Sequence, residues 1–261
     1  MHADDLAVAL RLADAADEIT MARFRAADLV VDRKPDRSPV TDADTAVEDT
    51  VREILAELRP DDSVLGEERG GSIGDERTWI LDPIDGTKNF LRGNPVWATL
   101  IALVENGTPV VGVVSAPAFP RRWWASAGGG AWAGERRLRV SGVSSLSDAY
   151  VSTTDLGAWV TYHSREAYVA LVDACWESRA FGDFWQHVLV AEGSLDLSVD
   201  PIAYSWDLAA VQVLVTEAGG RFTDLTGRVG FSHGNGLASN GLLHDAALGV
   251  LQAGVSAPRT T

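Results

Sequence analysis

Positive charge is scarce in this chain. Its 261 residues carry 22 Lys plus Arg against 37 Asp plus Glu, a formal net charge of −15. Such a balance repels phosphate backbones and anionic lipid headgroups, so neither nucleic acid nor a membrane surface is expected as a partner. Cysteine is scarcer still. Cys175 stands alone, which excludes an internal disulfide and fits a reducing compartment. No run of about 18 apolar residues occurs, so no membrane-spanning helix is expected. The opening Met1-His2-Ala3-Asp4-Asp5 is acidic where a secretory signal is basic, and a cytoplasmic location is expected. With 46% hydrophobic and 23% charged residues, the composition is that of a folded globular chain. Any anionic ligand therefore needs a local source of positive charge, and metal ions are the most direct one.

Leu6, Leu10, Ala13, Ala16 and Ile19 recur at steps of three and four and predict an amphipathic helix over 5–27. Two prolines between residues 33 and 39 break it, and residues 30–40 read as a candidate flap. Thr41, with Asp44 three residues on, predicts a capping box opening a second helix striped by Val47, Val51, Ile54, Leu55 and Leu58. From 63 to about 140 the period is that of strands, at 63–65, 78–81, 97–104, 109–116, 122–125 and 138–140. Glu105-Asn106-Gly107 is a hairpin turn signal, and Gly128-Gly129-Gly130 reads as a second connection. Beyond 145, strands at 149–154, 178–181, 195–199, 221–224 and 236–239 alternate with helices at 164–175, 184–192, 206–218 and 244–252. A single domain over 1–261 is expected, with an α+β lobe of about 1–144 and an α/β lobe of about 145–261.

The most informative stretch is Trp79-Ile80-Leu81-Asp82-Pro83-Ile84-Asp85-Gly86-Thr87. An apolar strand runs into Asp82, and Pro83 stiffens the backbone so that Asp82 and Asp85 can face one point. Gly86 permits close backbone approach, and Thr87 opens a short helix whose free N–H groups suit an anion. Paired acids with adjacent carbonyls form a hard oxygen site of the kind Mg²⁺ prefers. Read alone, the stretch fits an Asx turn with Asp85 capping the next helix equally well. Gly66-Glu67-Glu68 and Trp206-Asp207 add two more acidic element ends, and their convergence is costly without a cation. His163, His187, His233 and His244 occur singly, without metal-ligand spacing. Trp79, Trp97, Trp123, Trp124 and Trp132 fall on strand patterns and read as core or dimer contacts.

Gly66-Glu67-Glu68, Asp82-Pro83-Ile84-Asp85-Gly86-Thr87 and Trp206-Asp207-Leu208-Ala209-Ala210 resemble, in order and spacing over about residues 5–250, the motifs of the inositol monophosphatase superfamily. That group comprises Mg²⁺-dependent, lithium-sensitive phosphatases of inositol, sugar, nucleotide and histidinol phosphates. Within it, residues 85–90 and Gly182-Asp183-Phe184 look most like the actinobacterial histidinol-phosphatase branch. The resemblance implies a layered αβαβα sandwich of the inositol monophosphatase and fructose-1,6-bisphosphatase type, a homodimer, and two or three Mg²⁺ per active site. It implies Glu67, Asp82 and the Ile84 carbonyl around a first Mg²⁺, and Asp82, Asp85 and Asp207 around a second. Thr87, hydrogen-bonded to Asp44 and helped by Glu67, is implied as the group orienting a metal-activated water for direct in-line attack. Backbone N–H groups of Gly86 and Thr87 are expected to receive the phosphate.

Asp200 stands where the inositol enzymes carry a glutamate against substrate hydroxyls, and Asp183 where they carry a small neutral residue. Asp183 can also serve as the N-cap of helix 184–192. A second carboxylate suits an ammonium or imidazolium, and Trp185 is expected to wall the pocket. Lys88 reads as an exposed lysine, with contact to phosphate as the alternative. The expected activity is hydrolysis of the small-molecule ester L-histidinol phosphate to L-histidinol and phosphate. The alternatives are inositol 1-phosphate or a broad range of sugar phosphates and, more distantly, a non-catalytic metal-binding regulatory dimer.

Overall fold

Residues 2–35, 38–74 and 76–254 are described by the computed structural model of the chain. Its first half contains α1 (Ala3–Arg23), β1 (Val31–Arg33), β2 (Pro39–Thr41), α2 (Asp42–Leu58), β3 (Ser63–Gly66), β4 (Arg77–Asp85) and α3 (Thr87–Leu91). Five strands follow: β5 (Ala98–Glu105), β6 (Thr108–Ala116), β7 (Arg121–Ser126), β8 (Gly130–Ala133) and β9 (Arg136–Arg137). The second half runs β10 (Tyr150–Ser152), α4 (Leu156–Tyr162), α5 (Arg165–Ala174), β11 (Glu177–Arg179), α6 (Asp183–Glu192) and β12 (Leu197–Asp200). It ends with α7 (Ser205–Glu217), β13 (Arg221–Thr223), β14 (Gly236–Ser239) and α8 (His244–Ala253).

Alternation along the strands builds two main sheets, with helices packed on them, beside the small β1–β2 pair. The larger sheet has the order β3-β4-β5-β6-β7-β8-β9, parallel only at β3–β4. Trp79, Leu81, Ile101 and Leu103 point to one face and meet Leu12 and Ala16 of α1 with Val47 and Val51 of α2. Ile80, Leu100 and Ala102 point to the other face and meet Leu208, Val211 and Leu214 of α7. The same helix touches Phe222 and Ala238 of the second sheet, whose order is β11-β10-β12-β14-β13. Leu171 of α5 and Leu251 of α8 cover that sheet's outer face against Val151 and Leu197. The layers therefore stack αβαβα, as the motifs imply. Helix α7 is apolar nearly all round because it lies between two sheets. Gly112 lets it approach β6: a Cβ there would stand 2.4 Å from Val213 Cγ1 and 2.6 Å from the Ala210 carbonyl.

The hairpin at Asn106-Gly107 forms as expected, both residues taking positive φ (48° and 75°). Several boundaries differ. Helix α1 ends at Arg23 because Phe24 leaves it to pack on Phe90 and Trp97, with ring centroids 5.4 Å away in each case. Residues 138–140 form no strand, since β8 and β9 finish the sheet edge. Helix α4, absent from the sequence reading, starts where the Asp155 carboxylate accepts from Gly157 N at 2.8 Å. Within the candidate flap, 31–33 and 39–41 pair as β1 and β2, and residues 36 and 37 lie outside the described chain. Strand β4 continues to Asp85 instead of ending at Asp82, with a register shift between the two. Pro83 cannot donate to the ladder, and Thr99 Oγ1 instead donates to its carbonyl at 2.7 Å.

His244 ties the small sheet to α8. Thr223 Oγ1 donates to the Asp224 carbonyl, so His244 Nε2 donates to Thr223 Oγ1 (2.8 Å) and Nδ1 accepts from Ser239 Oγ (2.8 Å). Burial holds this imidazole down at about 4. As pH falls below 6.5, the unfolded chain takes a proton that the folded one refuses, so stability declines between pH 6.5 and 4. His244→Gln should cost about 1–3 kcal/mol at pH 7. In urea unfolding, the gap to the parent protein should narrow steadily toward pH 4.5. A gap that stays constant with pH would show that His244 is not held neutral.

Candidate active site

Strand β4 carries Asp82 and Asp85 to the edge of an open cavity of about 450 Å³. Asp82 Oδ1 accepts from Ile84 N at 2.9 Å, an Asx turn that fixes the carboxylate. Asp85 does not cap α3: its carboxylate accepts from Phe184 N, at the start of α6 in the second half of the chain. Asp207, in the first turn of α7, accepts from Tyr204 N at 2.7 Å. Carboxylate oxygens of Asp82, Asp85 and Asp207 lie within 4.8 Å of one another. Burial first, then the charges of Glu67, Asp85 and Asp207, holds the Asp82 carboxyl far above the usual carboxylate range. Burial and the charge of Asp183 do the same to Asp85. Asp207 is pushed up to about 7 by burial, against the opposing Tyr204 N–H. Three acids in such mutual repulsion form an all-oxygen donor set that fits a hard divalent cation.

Glu67 approaches from the turn after β3, and Lys34 stands on it. Lys34 Nζ donates to Glu67 Oε1 at 2.6 Å and lies 2.7 Å from Glu68 Oε1. The chain has only two lysines, Lys34 and Lys88, and Lys88 lines the cavity. Behind the turn lies Glu48 of α2, fully buried. It accepts from Glu68 N (2.7 Å), Arg69 N (3.0 Å) and the Arg52 guanidinium (2.8 Å). A Cβ at Gly66 would come within 2.1 Å of Glu48 Oε1, so a side chain there would push this carboxylate off its hydrogen bonds.

Asp183 opens α6 with a positive φ of 47°, uncommon outside glycine. Its carboxylate caps nothing: Gly182 is the N-cap, and the Phe184 N–H goes to Asp85. Asp183 Oδ2 lies 3.4 Å from Asn89 Nδ2 and 3.4 Å from a Cβ built on Gly86. Burial and the charge of Asp200 raise it to about 6, with Lys88 and His187 opposing.

Of the residues singled out by sequence, Glu67, Asp82, Ile84, Asp85, Gly86, Thr87, Asp183 and Asp207 line the cavity. Three do not. Trp185 turns away from it and packs edge-on against Phe119 (5.0 Å) and Trp123 (5.7 Å), under the Arg121 guanidinium. Asp200 is buried behind the site, accepting from Gln186 Nε2 (2.6 Å), His187 Nε2 (3.1 Å) and Thr154 N (3.2 Å). It borders only a recess of about 90 Å³ that shares Asp85, Asp183 and Asp207 with the main cavity. Asp44 forms the capping box, accepting from Thr41 N at 2.7 Å and Thr41 Oγ1 at 2.6 Å. The expected Thr87–Asp44 hydrogen bond is not made: Thr87 Oγ1 donates to the Ile84 carbonyl at 3.0 Å. Asp44 Oδ1 is left buried without a partner. Burial above all raises this carboxyl to about 7. Ser38 and Pro39, within the candidate flap, also reach the lining, whereas sequence reasoning missed Thr154, Asp155 and Tyr204. The first two of these come from a connection without periodicity. The aromatic residue two before Trp206-Asp207 was the one available signal.

A layered αβαβα fold gathers acids from the turn after β3, from β4 and from α7 around one open cavity, an arrangement suited to phosphate ester hydrolysis assisted by a divalent cation. The family model described as the inositol monophosphatase family matches residues 2–256. The chain is 55% identical to a histidinol-phosphatase of Mycobacterium tuberculosis, covering 97% of this chain and 100% of that one. It is 51% identical to a histidinol-phosphatase of Streptomyces coelicolor, over 96% and 97% of the two chains. Among solved structures, the inositol monophosphatase of Thermotoga maritima superposes with a TM-score of 0.86 at 31% identity, covering 98% of each chain. The extragenic suppressor protein SuhB of Bartonella henselae gives 0.88 at 30% identity, over 97% and 100%. The chain belongs to the inositol monophosphatase family.

Because Glu48 holds the turn that presents Glu67, Glu48→Ala should leave two backbone N–H groups and Arg52 without their acceptor. We expect a stability loss of about 1–3 kcal/mol by urea melt. We also expect at least a roughly tenfold drop in kcat/KM on a phosphate ester, with Glu48→Gln in between. Unaltered kinetics in the alanine variant would show that the turn needs no such hold.

Proposed function

We propose that the protein is a phosphomonoesterase that hydrolyses L-histidinol phosphate to L-histidinol and phosphate. The observation that carries the substrate choice is Asp183. Its carboxylate makes no capping bond to α6, its backbone is held in the left-handed region, and it borders the cavity beside Gly86. Backbone strain retained at a cavity residue marks a position the surrounding structure over-determines. A carboxylate there has nothing to gain from a neutral polyol and pairs well with an ammonium group. The two actinobacterial relatives named above support the same choice.

In this reading Glu67, Asp82, the Ile84 carbonyl, Asp85 and Asp207 hold Mg²⁺, two or three ions. Bound there, the ions draw charge from the phosphate and acidify water. Gly86 and Thr87 offer backbone N–H groups to the phosphate oxygens, and Lys88 adds a point charge. Thr87 Oγ1, its own proton committed to the Ile84 carbonyl, accepts a hydrogen bond from the attacking water and so orients it, and the water's proton passes to the Glu67 carboxylate, which lines the same cavity. Asp44 Oδ1 provides a buried acceptor on the Glu67 side of the site. Asp200 acts from behind, holding Gln186 and His187 under Asp183. No side chain has to form a covalent bond with phosphorus. The proposal extends to one phosphatase domain over 1–261, with lobes of about 1–144 and 145–261. It also extends to a homodimer working in the cytoplasm, testable by light scattering and cell fractionation.

Asp82→Asn under saturating Mg²⁺ should abolish turnover, since it removes a charge shared by the proposed ion sites. Turnover at the parent rate would place the catalyst elsewhere. L-histidinol phosphate should exceed inositol 1-phosphate in kcat/KM. Asp183→Asn should lower the former about tenfold to a hundredfold, a charge-assisted hydrogen bond being worth about 1.5–3 kcal/mol. Equal losses on both esters would make Asp183 structural, and a parent preference for inositol 1-phosphate would reject the substrate.

A further inference from the structure

The start of α7 gives the cavity an aromatic rim. The rings of Tyr204 and Trp206 are stacked, centroids 5.0 Å apart and planes 17° apart, and both residues line the cavity together with Asp155 and Asp183. Trp206 packs against the main hydrophobic core, so the pair is supported from below. Tyr204 nevertheless keeps 51% of its surface exposed. A tyrosine ring braced on a tryptophan is a stiff flat surface that loses little rotamer freedom when something lies on it. Its position is tied to the chemistry, because Tyr204 N donates to Asp207 Oδ2 at 2.7 Å. An ester whose phosphate sits at the carboxylates therefore has this ring at a fixed offset.

Charge narrows what the rim accepts. The lining holds six carboxylates, those of Glu67, Asp82, Asp85, Asp155, Asp183 and Asp207, and Lys88 is its one cationic side chain among the described residues. Where acids and an aromatic face border the same space, a flat heteroaromatic ring able to carry positive charge is attracted by both. A polyol gains little from either.

We propose that Tyr204, braced by Trp206, is the face on which the imidazole of the leaving alcohol stacks, making it a specificity-determining residue for ring-bearing phosphate esters. The inference rests on the reading of the protein as a histidinol phosphate phosphatase and deepens it by naming the group that reads the ring. Asp183 then answers for the ammonium and Tyr204 for the imidazole, two parts of one leaving group.

The test compares L-histidinol phosphate with phosphoethanolamine, which keeps the phosphate and the neighbouring ammonium but has no ring. The quantity read is the ratio of their kcat/KM values in the parent protein, Tyr204→Phe and Tyr204→Leu. The parent ratio should be well above one. Leucine should lower it about tenfold, chiefly through KM for the ring-bearing ester. Phenylalanine should hold it within about twofold, because the face and not the hydroxyl does the recognising. A leucine ratio equal to the parent's overturns the stacking role while leaving the substrate reading intact. So does a phenylalanine ratio that falls as far as leucine's, which would assign the effect to the hydroxyl. A parent ratio near one overturns the substrate reading, and the inference with it.

Discussion

Mutual repulsion among buried carboxylates is the constraint around which this molecule is built. Asp82, Asp85 and Asp207 are brought within reach of each other, and the charge of Glu67 presses on Asp82 and Asp207. Left to themselves, such groups separate or take up protons. They stay together because each sits on an element held elsewhere by apolar burial. Strand β4 is clamped between two neighbours and covered on both faces, and α7 is packed between two sheets. The stability of the layers thus maintains a local arrangement that is itself unfavourable until a cation arrives. This is the usual relation between a rigid scaffold and a strained site.

The two halves of the chain meet at this point through one exchange of hydrogen-bonding duty. Asp85, from β4, accepts the N–H of Phe184 and so does the work of a cap for α6. Asp183, the first residue of that helix after the Gly182 cap, makes no capping bond and borders the cavity. Its positive φ is the conformational cost, sustained because Phe184 is buried in the main core and cannot shift.

How far the sequence could be read follows from which forces leave a period. The stripes of α1 and α2 and the alternation of β4 to β6 were legible because each element has one buried face or two fully buried ones. Helix α4 was not, since Trp159 is its only buried side chain. The carboxylates were legible because acids at the ends of apolar elements stand out against their neighbours. Side-chain direction was not. Trp185 lies two residues after Asp183, about 200° round the helix, and so faces the opposite side. Asp200 sits at the expected offset before Asp207, yet the strand β12 carries it inward to Gln186 and His187. The Thr87–Asp44 bond failed for a third reason. Thr87 Oγ1 spends its one proton on the Ile84 carbonyl three residues back, a local bond that leaves Asp44 Oδ1 without a partner.

The chemistry of the cations completes the picture. Twenty arginines and two lysines make up the positive charge. Arginine does the structural pairing, as in Arg77 with Asp5 and Asp62, or Arg122 with Asp14 and Asp17. A guanidinium grips carboxylates through a rigid fork and cannot lose its charge. An ammonium is a compact point charge on a flexible stem. Lysine is found where the proposed chemistry asks a cation to share carboxylates with divalent ions, at Lys34 on Glu67 and at Lys88 on the cavity. An arginine at residue 34 would satisfy Glu67 and Glu68 with several directed bonds and compete with any ion for them. A lysine brings the same charge without that fixed fork. The distribution of the two residue types over this chain thus follows the division between what must stay fixed and what must exchange.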